Sequence, residues 1–62
     1  MMSPNQIHRT ASALIERMGE VAVAAAILNA QGAHAERRYK ASADWYHVAE
    51  AALSRIPADI VD

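Results

Sequence analysis

Apolar residues recur through the first half of the chain at alternating spacings of four and three residues. This stripe consists of Ile7, Ala11, Leu14, Met18, Val21, Ala25 and Leu28. Such spacing is typical of one face of an α-helix. Ser3 is suited to the N-cap and Pro4 to the first helical position. Because the stripe passes Gly19 without a change of phase, the pattern predicts one helix over residues 4–31, ended by a left-handed Gly32.

A second stripe with the same spacing occupies the other half. Its members are Ala35, Tyr39, Ser42, Tyr46, Ala49, Leu53 and Ile56. It predicts a helix over residues 34–55, since Pro57 disfavours helical geometry at the residue before it. Only a short turn then joins the two helices, so they are expected to be antiparallel neighbours. The predicted fold is therefore all-α: one helical-hairpin domain over residues 1–62, with a short irregular tail at 57–62.

Each predicted helix carries more apolar circumference than one neighbouring helix can cover. A second apolar band lies beside each stripe, and residues 21–28 are apolar on every side, which is typical of a buried helix. A two-fold dimer would supply the missing partner, so we expect a homodimeric four-helix bundle. The candidate interface residues are Ile15, Gly19, Ala22, Val23, Ala26, Ile27, Trp45, Val48 and Ala52. The pattern leaves open which apolar face packs within the chain and which packs between copies.

The composition also favours a partner. Hydrophobic residues make up 53% of the 62-residue chain, but fifteen of them are alanine and none is phenylalanine. There is no cysteine, so disulfides cannot compensate for the scarcity of large apolar side chains. A net charge of −1 provides no general attraction to nucleic acid. The first residues lack a signal-peptide pattern, and the longest uncharged run is too short to cross a membrane, so a cytoplasmic, soluble protein is expected.

The titratable residues predict no catalytic, metal or cofactor site. Asp44 and His47 have the i, i+3 spacing found in di-iron bundles, but helical angles place both on the solvated side of the second helix. His8 and His34 lie near apolar positions, where a histidine is more often a structural hydrogen-bonding group than a ligand. No serine, histidine and acid are spaced as a triad. We therefore expect a protein without enzymatic activity and without a small-molecule substrate.

One cluster of positive charge supports an alternative. Arg37, Arg38 and Lys40 flank Tyr39, and a dimer would double this basic surface. Helical angles disfavour a nucleic-acid surface here, because they spread the three charges widely and place Tyr39 on the apolar stripe. The expected function is a self-associating interaction or accessory module. The alternatives are a small regulator that binds nucleic acid through this cluster and an accessory subunit that docks on a different protein.

Overall fold

The computed structural model describes residues 2–55, in which every regular element is helical. Helix α1 comprises Pro4–Met18, α2 comprises Val21–Ala35 and α3 comprises Tyr39–Arg55. The all-α prediction is confirmed, although three helices stand where two were expected. None of these three helices combines the length and the hydropathy that crossing a bilayer requires. Ile56 and the predicted tail at 57–62 lie outside the described residues.

The start of α1 follows the prediction. The Ser3 hydroxyl oxygen accepts a hydrogen bond from the Gln6 amide at 3.2 Å, and the Ser3 amide donates to Gln6 Oε1 at 2.9 Å. Pro4 occupies the first turn, where its missing amide hydrogen costs nothing. Two backbone amides that a helix start leaves unpaired are thereby satisfied.

The expected single helix over residues 4–31 is wrong, because the chain turns at Gly19 and Glu20. Gly19 has φ 61° and ψ −134°, a conformation that side chains with a Cβ rarely adopt. Its amide still bonds to the Ile15 carbonyl at 2.8 Å, while its own carbonyl accepts from Ala22 at 3.0 Å and begins α2. Hydrophobic periodicity records only the angular position of residues, so a two-residue turn that preserves the phase does not interrupt the stripe.

The end of α2 also differs from the prediction. Gly32 lies inside the helix, and the left-handed position belongs to Arg37, with φ 63°. The Arg38 amide donates to the Ala33 carbonyl at 2.8 Å and the Arg37 amide to the His34 carbonyl at 2.9 Å. These two bonds form a Schellman motif, which usually has glycine at the left-handed residue. The second predicted helix consequently begins at residue 39 rather than 34.

The two glycines are expected to respond oppositely to alanine. Gly19→Ala should destabilise the protein by about 1–3 kcal/mol, because a Cβ is strained at this φ although it meets no neighbouring atom. Gly32→Ala meets no neighbour either and lies within α2, so it should stabilise by about 0.5–1 kcal/mol. Urea unfolding followed by circular dichroism measures both. A stabilising Gly19→Ala would contradict the turn.

The core of the described chain is built almost entirely from alanine. Its buried hydrophobic residues are Ala11, Ala22, Ala26, Ala30, Ala33, Val48, Ala49, Ala51 and Ala52. Val48 is the largest fully buried side chain among residues 2–55. The Ser42 hydroxyl, also buried, donates to the Ala30 carbonyl at 2.9 Å and joins α3 to α2. Small side chains let helix backbones approach closely, so dispersion contacts replace the burial of large groups.

Candidate functional site

The side of α2 turned away from the core is apolar and open to solvent. The α2 sequence contains no Asp, Glu, Lys or Arg. We define the α2 outer face by five residues at spacings of four and three: Val21, Ala25, Leu28, Gly32 and Ala35. Leu28 is 66% exposed and Val21 is 58% exposed. A helix without charge on any side is normally buried, so this face is the strongest candidate for a contact surface.

Apolar side chains continue the surface on both flanks of α2. On one flank, Leu14 and Met18 border a depression of about 540 Å³ that reaches Leu28 and also contains Arg17 and Asn29. On the other, Tyr46 and Leu53 of α3 border a smaller one of about 210 Å³ with half-buried residues of α2. Met18, Tyr46 and Leu53 are all exposed. The apolar surface therefore extends from α1 across α2 to α3.

The structure assigns the predicted interface residues mainly to the interior of the chain. Ala22, Ala26, Val48 and Ala52 are completely buried without any partner, so this conformation removes them from a surface that a second copy could contact. The half-buried members pack against the core: Ile15, Val23, Ile27 and Trp45. Gly19 is exposed in the turn. The band of small residues is thus the intrachain face, a choice that the sequence pattern left open.

The larger residues of the predicted stripes occupy the surface instead. Six of them are exposed: Met18, Val21, Leu28, Tyr39, Tyr46 and Leu53. One sequence signal indicates this arrangement. Ala22, Ala26 and Ala30 recur every four residues, and a line of small side chains is what close helix contact requires.

The basic cluster lies at the connection between α2 and α3. Arg37 and Arg38 are outside both helices, and Lys40 is in the first turn of α3. All three are exposed, and Arg38 Nη1 lies 3.3 Å from Glu36 Oε1. Tyr39, expected on the core stripe, is 57% exposed, with its ring edge-on to His34 at a centroid distance of 5.2 Å. The basic cluster and the Tyr39 ring are thus exposed on the same short stretch of chain.

Asp44 is buried, which corrects its expected place on the solvated side. Asp44 is only 7% exposed, and its Oδ2 accepts a hydrogen bond from the Met2 amide at 3.0 Å. The segment that precedes α1 covers this part of α3, a long-range contact that helical angles within α3 do not reveal. His47 is exposed, as expected, and its Nδ1 lies 3.5 Å from Glu50 Oε1.

Within residues 2–55, no three His, Asp or Glu side chains are grouped so that they could hold a metal ion. No protein-family model matches the chain, and no curated protein or solved structure matches it either.

Proposed function

We propose that this protein is a non-enzymatic, self-associating interaction module that forms a homodimer through the α2 outer face. In this assembly α2 and α3 of the two copies form a four-helix bundle, and α1 packs beside it. The observation that carries the proposal is the 66% exposure of Leu28 at the middle of an uncharged helix. Other large apolar side chains, Met18 and Val21 among them, are exposed as well, while alanine fills the core.

The single chain buries its alanines but leaves several large apolar side chains exposed. Full burial of a Leu, Val or Met side chain contributes about 1.5–3 kcal/mol. The single chain leaves about half of this contribution unrealised at Met18, Val21 and Leu28, which are between 45% and 66% exposed. A two-fold contact would bury each of these residues twice. Chains of this length rarely reach adequate stability from one small core, so such a gain would be substantial.

The distribution of charge favours a second copy as the partner. Near the start of α2 lie two carboxylates and one guanidinium, from Glu16, Glu20 and Arg17. The connection after α2 and the first turn of α3 together carry one carboxylate and three cations: Glu36, Arg37, Arg38 and Lys40. If two α2 helices pair in opposite directions, the net negative end of each faces the net positive end of the other. Opposed helix dipoles add to this attraction.

The shape of the α2 outer face is compatible with close helix pairing. Its spacing of four and three residues is that of a helix–helix seam. Ala25 and Gly32 flank Leu28 within this seam, and neither has a side chain that holds a second backbone away. A two-fold axis near Leu28 would place Val21 of one copy opposite Ala35 of the other.

Sedimentation equilibrium tests the proposal directly. The chain has a mass of 6.7 kDa, and we expect about twice this value at micromolar concentration. The thermal midpoint should also rise with protein concentration, since association stabilises the folded chain. A folded 6.7 kDa species with a midpoint independent of concentration would refute self-association and would favour docking on a different protein.

The exposed Tyr39 favours nucleic-acid binding as a second candidate function. Basic side chains that track phosphates, together with an aromatic ring for base stacking, are features of single-strand binding surfaces. Fluorescence anisotropy with a labelled single-stranded oligonucleotide tests this candidate. Binding should weaken steeply between 50 and about 200 mM salt, and Arg37→Ala with Lys40→Ala should reduce both the affinity and the salt dependence. Absence of binding at low salt excludes it.

A further inference from the structure

A cavity of about 430 Å³, open to solvent, lies between the start of α1 and α3, away from the α2 outer face. Apolar groups of Met2, Pro4, Ile7 and Ala51 form part of its wall. The polar residues of the wall are His8, Asp44, His47 and Glu50. Small-molecule sites likewise combine apolar walls with a few polar groups.

Asp44 is the one buried charged residue of the described chain, and it lines this cavity. Oδ2 is held by the Met2 amide at 3.0 Å, whereas no donor within residues 2–55 reaches Oδ1. No completely enclosed side-chain oxygen or nitrogen in this part of the molecule lacks a partner. Within residues 2–55, Oδ1 is thus the Asp44 oxygen left to accept a hydrogen bond from a molecule in the cavity that Asp44 lines. A carboxylate oxygen accepts hydrogen bonds only, so its complement is a donor.

The charge of the wall indicates which donor fits best. Asp44 and Glu50 contribute two negative charges, His47 lies 3.5 Å from Glu50, and no lysine or arginine lines the cavity. A positively charged donor is therefore preferred over a neutral one, and charge-assisted hydrogen bonds are about twice as strong as neutral ones. The absence of a three-ligand group within residues 2–55 argues against a bare metal cation. An organic ammonium ion satisfies both the carboxylate and the apolar wall.

We propose that this cavity binds a small primary ammonium compound with a compact apolar body. The ammonium group donates to Asp44 Oδ1, and the apolar body lies against Ile7 and Ala51. The cavity shares no residue with the α2 outer face, so the proposal is independent of self-association. In this proposal, the hydrogen bond from the Met2 amide also holds the Asp44 carboxylate in place beside the ligand.

Titration of the full chain with benzylamine, which is protonated at neutral pH, tests the proposal. Benzyl alcohol serves as the neutral probe with nearly the same body. In ¹H–¹⁵N correlation spectra, benzylammonium should shift the amides of Met2, Ile7 and Asp44, with at least about tenfold higher affinity than benzyl alcohol. Equal affinities for the two probes, or shifts confined to other residues, would overturn the proposal.

Asp44→Asn supplies the matched variant, because its amide oxygen can still accept the Met2 hydrogen bond while the charge is lost. We expect benzylammonium affinity to fall about tenfold or more and benzyl alcohol affinity to remain unchanged. Glu50→Gln, at the exposed rim, should reduce benzylammonium affinity by less than about threefold, since solvent screens exposed charges. Unchanged affinity in Asp44→Asn would also overturn the proposal. If that variant fails to fold, the comparison of the two probes on the unaltered chain decides the question.

Discussion

Leu28→Glu is expected to convert the proposed dimer into a monomer. Association can bury only the 66% of Leu28 that is exposed in one copy, about 1–2 kcal/mol, so the dimer loses about 2–4 kcal/mol. This corresponds to a rise in the dissociation constant of roughly thirtyfold or more. The two introduced carboxylates also lie close to the two-fold axis and repel each other. Sedimentation equilibrium at micromolar concentration should report a mass near 6.7 kDa.

Ala43→Glu is the matched control for this prediction. Ala43 is exposed on α3, outside both the core and the α2 outer face. The same charge should leave the mass and the thermal midpoint nearly unchanged there, because exposed helix positions tolerate substitution. A dimeric Leu28→Glu protein would show that the α2 outer face is not the interface, even if the unaltered chain self-associates.

Ala26→Glu is expected to unfold the chain at every accessible concentration. Ala26 is completely buried within one copy, at the centre of the alanine core. An uncompensated charge in a protein interior costs about 3–5 kcal/mol. A core of this size supplies only about 3–5 kcal/mol in total. Far-ultraviolet circular dichroism should show loss of helix at room temperature.

Comparison of the two glutamate variants separates the core from the interface. Leu28→Glu should lose stability only as far as association contributed it, and its thermal midpoint should no longer depend on concentration. Ala26→Glu should lose helix independently of concentration. A folded, monomeric Ala26→Glu protein would instead mean that Ala26 faces a partner, as the sequence pattern allowed.

Local signals in the sequence predicted the helical class and the start of α1 correctly. Ser3, Pro4 and Gln6 act within one turn, so their roles need no tertiary information. The break at Gly19 was not predictable in the same way. Whether a helical glycine continues the helix or turns depends on what α1 gains by packing across α3, and periodicity contains no information on that gain.

The band of small residues is buried and the stripe of large residues is exposed, the reverse of what hydrophobicity suggests, and the cause is related. Hydrophobic patterning ranks Leu28 and Leu53 above alanine as core residues, because it measures transfer from water and not the distance between helices. When helices approach closely, only a small side chain fits between them, and Ala22 and Ala26 take the interior. Asp44 was misplaced for a different reason, since the segment that covers it is 42 residues away in the sequence.

The methyl-lined interior determines which kind of substitution can identify the core positions of this protein. Within residues 2–55, eight of the nine buried hydrophobic residues are already alanine, so an alanine scan would have no effect at the buried hydrophobic positions except at Val48. The same scan would respond mainly at the half-buried residues that pack against this core, such as Ile15, Ile27 and Trp45. Substitution by leucine reverses the contrast, because enlargement forces apart helices in close contact whereas exposed positions accommodate it. For this molecule, adding carbon atoms is the informative perturbation, and removing them is not.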